Sequence, residues 1–158
     1  MHLGNGAITP QCAVIAATFA ATGLGFAALA ARKLGLDRER VMTAGVLGAG
    51  IFAAQAFNFP ATSFCSTHLV GGILLAWIVG PGLGALTMAA VLLAQACMLG
   101  DGGFMTLGAN IINMGLLPAA IVALAKNRPS LMATPARRLA FAGAAGWFSI
   151  VAASALIT

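Results

Sequence analysis

Apolar runs of membrane-spanning length follow one another along almost the whole chain, separated only by short polar breaks. Of its 158 residues, 61% are hydrophobic and 7% charged, against roughly 25% charged in an ordinary soluble domain. That excludes a water-soluble globule, and a mean hydropathy of +1.01 leaves no room for a separate aqueous domain. Residues 1–158 read as a single transmembrane domain.

Crossing about 30 Å of hydrocarbon takes about 20 apolar residues in a helix. This predicts spans at 11–31, 41–59, 64–80, 82–99, 104–125 and 139–157, an all-α, polytopic bundle of about six helices. The third span is the exception, because 60–68 is polar and the firmly apolar part, Leu69 to Gly80, suits a partial or re-entrant span. The eight Lys and Arg fall in two clusters, Arg32, Lys33, Arg38 and Arg40, then Lys126, Arg128, Arg137 and Arg138. Basic residues beside span ends mark cytoplasmic loops. Four predicted crossings separate the clusters, so both can lie inside at once, with the N-terminus, residues 60–68, the 100–103 turn and the C-terminus outside. The net charge of +5 is thereby a membrane signature and not a nucleic-acid one. The localisation expected is the cell inner (plasma) membrane, multi-pass. MHLGNGAITPQC lacks the basic region that precedes a cleaved signal sequence, so these residues are expected to be retained.

Twenty glycines and small-residue spacings such as Ala13, Ala17 and Ala21 let helix backbones approach closely, within the chain or against a membrane partner. Cys12, Cys65 and Cys97 have neither the number nor the spacing of a disulfide framework or zinc site and read as small packing residues.

The outer side collects His2, Asn58, Ser63, Ser66, Thr67, His68, Asp101 and Asn110, with Asn113 one turn deeper. Polar groups at the edge of hydrocarbon normally face a cavity or bundle interior, so this convergence marks a candidate site, although loop ends are polar in any case. The Met1 amine, the deprotonated His2 amide and the His2 imidazole Nδ1 can close two chelate rings around one ion, leaving a fourth planar position for another imidazole. Four nitrogens in a plane suit Ni²⁺ or Cu²⁺ better than Zn²⁺ or Mg²⁺. The one other histidine, His68, falls on the same side; it could equally be a helix cap satisfied by Ser66 or a backbone carbonyl. Asp101 sits in Gly100-Asp101-Gly102-Gly103, either as a turn residue or as a carboxylate that attracts a cation or pairs with an imidazole N–H around the metal.

Asn58-Phe59-Pro60 reads as a helix stop. Asn110 and Asn113 share a helix face and can bond the loops that line the site, and Gln55 and Gln95 can hydrogen-bond between helices. No Ser-His-Asp set, GxSxG elbow, HExxH or P-loop is present, so an enzyme is not expected and any ATP-driven step would need another chain.

On Met1-His2 with Gly6, Asn58-Phe59-Pro60, Ser66-Thr67-His68-Leu69 with Gly71-Gly72, and Gly100-Asp101-Gly102-Gly103 leading to Leu107-Gly108-Ala109-Asn110 and Asn113-Met114, the sequence resembles the CbiM/NikM family. This is the substrate-binding membrane subunit of cobalt and nickel energy-coupling-factor transporters, and the motifs cover roughly residues 1–118. The resemblance implies Ni²⁺ or Co²⁺ as transported substrate with no resident cofactor. It implies metal ligands at Met1, His2 and His68; Asp101, Asn110 and Ser66 are read from the chain itself as the residues around them. It also implies a transmembrane coupling subunit and cytoplasmic ATPase subunits as partners. The family more often has a longer chain, and its histidine loop usually reads Gly-Thr-Ser-Gly-His where this chain has Phe64-Cys65-Ser66-Thr67-His68; Cys65 would tilt preference toward softer ions or simply pack. The competing readings are a self-sufficient metal channel or carrier and an accessory membrane subunit without transport of its own.

Overall fold

The computed structural model describes residues 2–57, 59–62, 65–67, 71–128 and 133–155, of which 59–62, 65–67, 139 and 149–155 are described by backbone alone. Its order is α1 (Pro10–Lys33), α2 (Arg38–Gln55), a hairpin of β1 (Phe59–Thr62) and β2 (Cys65–Thr67), α3 (Gly72–Ile78), α4 (Pro81–Met98), α5 (Leu107–Lys126) and α6 (Pro135–Ala155). Among the described residues, α1, α4 and α5 are long and apolar enough to cross a membrane by themselves. α2 has the same 18-residue length as α4 but carries Arg38, Glu39 and Arg40 in its first turn.

Local chemistry sets these limits. Thr9 caps α1 by accepting from the Cys12 N–H, with Pro10 in the first turn, where its missing N–H costs nothing. Asp37 caps α2 through the Arg40 N–H at 2.7 Å, and the Arg40 guanidinium donates to the Leu34 and Gly35 carbonyls at 3.0 and 3.3 Å, closing the first basic loop.

For the third predicted span, the full-length helix requires a correction and the partial one within Leu69 to Gly80 agrees with α3. A helix over 64–80 is replaced by β2 and the seven-residue α3, and seven residues rise only about 10 Å. β1 and β2 pair antiparallel, with Phe59 opposite Thr67, Pro60 opposite Ser66 and Thr62 opposite Cys65. α3 begins directly after Gly71, whose φ of +70° is strained for any residue with a Cβ. The far end of α3 still reaches the basic-loop end, where Ile78 and Val79 line a cleft with Asp37, Glu39, Arg40 and Thr43.

Lipid tails are as apolar as leucine, so the bundle is held by close packing. One core cluster contains Ala20, Ile51, Leu75, Met88, Leu92 and Met114; a second, nearer the basic loops, contains Ala27, Ala76, Ala85, Ala119 and Val122. Gly82 lies against the backbone of Ala27 and Ala31, Gly84 against that of Ala76, and Gly108 against that of Ala17, contacts that any Cβ would obstruct. α6 joins through Trp77 and Phe141, whose ring centroids are 6.1 Å apart.

The small-residue face expected at Ala13, Ala17 and Ala21 is buried only at Ala13. Steps of four precess by about 40° on a helix of 3.6 residues per turn, so Ala17 and Ala21 drift outward and the buried alanines are Ala13, Ala20, Ala27 and Ala31.

α5 is interrupted. Between its α-helical pieces, Leu107–Ile111 and Leu117–Lys126, residues Ile112–Leu116 form a π-helical turn in which the Leu117 N–H donates to the Ile112 carbonyl, five residues back.

Candidate metal centre

The site is assembled at the end of the bundle away from the basic loops, where the N-terminal segment tucks beneath the turn joining α4 to α5. Gly102 and Gly103 permit this entry. Gly102 has φ +78°, and a Cβ there would crowd Asn110 Nδ2 at 3.1 Å and His2 at 3.4 Å. A Cβ on Gly103 would collide with the Asn5 side chain.

Leu3 is the anchor. Its N–H donates to Asn110 Oδ1 at 2.8 Å, and its carbonyl accepts from Asn110 Nδ2 at 3.2 Å, from Thr106 Oγ1 at 2.5 Å and from the Gly103 N–H at 3.2 Å. The Gly103 N–H also reaches Thr106 Oγ1 at 3.0 Å. Asn110 and Thr106 are 2% and 0% exposed, so these polar groups satisfy one another inside the protein.

The clamp on Leu3 places its neighbour. The His2 side chain is 2% exposed, and its Nδ1 lies 3.1 Å from Asp101 Oδ2, a carboxylate that is itself 14% exposed. A carboxylate on one ring nitrogen fixes the orientation of an imidazole and raises its basicity as a ligand. Here Nδ1, the chelating atom of the sequence argument, faces Asp101 and not an open coordination position.

The structure therefore brings together three of the sequence-derived residues, His2, Asp101 and Asn110. Met1 and His68 lie outside the described residues, as do Asn58 and Ser63, while Ser66 is placed on β2 opposite Pro60 by backbone alone. Asn113 is buried at 6% exposure inside the π turn. Gln95 donates to Gln55 at 2.8 Å, tying α4 to α2, both residues being fully buried.

Thr106 is the site residue that sequence reasoning missed. Its place four residues before Asn110, immediately ahead of a helix, was a usable signal. Among the described residues no group of three or more His, Cys, Asp or Glu converges.

A family model, CbiM, described as the cobalt uptake substrate-specific transmembrane region, matches residues 2–158. The chain belongs to the CbiM family. Its relatives include a putative metal transport protein of Haloquadratum walsbyi, 39% identical over 117 residues, covering 74% of this chain and 53% of that one. A fused nickel transport protein NikMN of Rhodobacter capsulatus is 32% identical over 163 residues, covering 99% and 45% respectively. The crystal structure of a truncated transition metal transporter superposes with a TM-score of 0.83 at 28% identity, over 97% of this chain and 70% of that one. This CbiM-family chain spans about half the length of the curated relatives it matches. The family is one of helical membrane proteins of metal transport and not of enzymes, in keeping with the absence of catalytic motifs from the sequence.

Proposed function

We propose that the chain is the ion-binding membrane component of an uptake system for Ni²⁺ or Co²⁺. The observation that carries this reading is the clamp of Asn110 and Thr106 on Leu3, which buries His2 beside Asp101 at one end of the bundle. The ion is chelated by the Met1 amine and by the amide and imidazole of His2, with His68 closing the plane and Ser66 supporting that loop. For Nδ1 to enter the chelate it must leave Asp101, so the ring turns about its Cβ–Cγ bond and Nε2–H becomes the group offered to the carboxylate. The chemistry is coordination alone; binding needs deprotonated nitrogens, so it releases protons and weakens at acid pH.

In this reading the chain works in the inner (plasma) membrane with a transmembrane coupling subunit and cytoplasmic ATPases. The family supports that assignment, and the exposed Ala17 and Ala21 on α1 offer a face where another helix can approach closely.

The test is metal affinity of the protein beginning at Met1, beside a variant with one extra residue ahead of it. Tight Ni²⁺ or Co²⁺ binding that the extension abolishes supports the terminal chelate. Equal binding by both forms overturns the chelate, and binding by neither overturns the metal reading altogether.

A further inference from the structure

We infer that the π turn of α5 is a register switch that controls the clamp on Leu3, held in its present setting by α1. The turn lies directly below Asn110, and the Leu117 N–H to Ile112 carbonyl bond encloses one residue more than an α-helical turn would. Such turns occur mostly as single interruptions of α-helices and often at functional sites. In its lower part and just below it, the helix is seated: Gly72 on α3 abuts the Met114 carbonyl and Pro118, and Leu116 fills the space left by Gly23 on α1. Above it, Asn110 grips Leu3 at 2.8 and 3.2 Å, and Gly108 lies against α1, where a Cβ would come within 2.6 Å of the Ala17 nitrogen. Asn113 lies within the turn and is 6% exposed, so the interruption places a buried side-chain amide directly beneath the clamp.

If the extra residue passes out through the top of the helix while the lower piece stays seated, each residue above the turn moves by one position, about 100° of rotation and about 1.5 Å of rise. Ile111 then stands where Asn110 stood, and it has no group to offer the backbone of Leu3. Ala109 takes the place of Gly108, and its Cβ meets the α1 backbone. The shift is therefore blocked while α1 packs on α5 and allowed once α1 moves away. A displacement of α1 is thereby converted into release of the N-terminal segment. Its consequence for the ion rests on the function proposed above; the switch itself does not.

Hydrogen exchange of the N-terminal peptide containing Leu3, measured on the metal-free chain, separates the two. Ala109→Gly removes the obstructing methyl and should speed exchange at Leu3. Ala120→Gly, an exposed position in the lower piece of α5, controls for the general weakening of a helix by glycine, about two- to five-fold. Deletion of Ile112 removes the extra residue with both pieces in their present registers, Pro118 lacking a backbone donor in either form, and should slow exchange by about five- to 100-fold, the worth of the two Asn110 bonds. Where the deletion variant does not fold, the Ala109→Gly comparison decides alone. Exchange equal in Ala109→Gly and Ala120→Gly overturns the switch, as does a folded deletion variant that exchanges like the unaltered chain. Co²⁺ release to a chelator should follow the same order; if exchange responds and release does not, the switch stands and its role in ion release is overturned.

Discussion

Asn110 holds both backbone groups of Leu3, accepting from its N–H at 2.8 Å and donating to its carbonyl at 3.2 Å, across 107 residues of sequence. A side-chain amide used in this way pairs with the N-terminal segment as a neighbouring strand would. The segment has no helix of its own to satisfy its backbone, so Asn110, Thr106 and Gly103 together decide where His2 stands.

Asn110→Ala should therefore leave the bundle folded and weaken metal binding. Supporting groups around metal ligands commonly contribute about 10- to 100-fold in affinity, and a loss of that size is expected by isothermal titration with Ni²⁺ or Co²⁺. Unchanged affinity would mean that the terminal segment is held by other contacts.

Asp101→Asn keeps a hydrogen-bonding group 3.1 Å from His2 Nδ1 but removes the charge. Affinity for the divalent ion should fall about tenfold or more, with a smaller effect on thermal stability because the asparagine keeps a hydrogen bond to the ring. A larger loss of stability than of affinity would make Asp101 a turn residue alone.

Gly72→Ala would drive a methyl group into the Met114 carbonyl, a backbone atom that cannot swing aside. Overpacking of this kind costs about 1–3 kcal/mol or more, and the thermal midpoint in detergent should drop. Gly45→Ala is the matched comparison, since open space surrounds that position in α2; it should be neutral or gain about 0.5–1 kcal/mol.

Gln95→Leu breaks a 2.8 Å bond between two fully buried amides and leaves Gln55 Oε1 without that donor. The cost should be about 1 kcal/mol, read by denaturant titration, with metal affinity unaffected. A fall in affinity would connect the α2–α4 contact to the site.

Most of this architecture was legible in the sequence. Apolar run length marks helices directly, and the paired positions of the two basic clusters put His2 and Asp101 on one side before any contact between them was visible. In the third span the partial helix expected within Leu69 to Gly80 is α3, but the hairpin ahead of it was not legible, because hydropathy measures side chains and does not distinguish strand from helix over so short a stretch. The π turn was not read either: Asn113, Gly115 and Pro118 mark the stretch as a weak helix, but the extra residue itself shows only in the bond from Leu117 to Ile112. The burial of Ala20 in place of Ala17 and Ala21 reflects the gap between a spacing of four and a period of 3.6, too small to resolve from three alanines.

At Gly72, Gly82, Gly84 and Gly108 one helix meets the backbone of another with no side chain between them, while bulky residues such as Phe19, Phe26, Val46 and Trp147 point outward, more than half exposed. Steric intolerance is thus inverted relative to a soluble domain. Exchanging one large apolar residue for another on the outer surface should pass unnoticed, whereas a single added methyl at a glycine contact should displace an entire helix. Among variants of this fold, the positions with the least chemistry should be the least free to change.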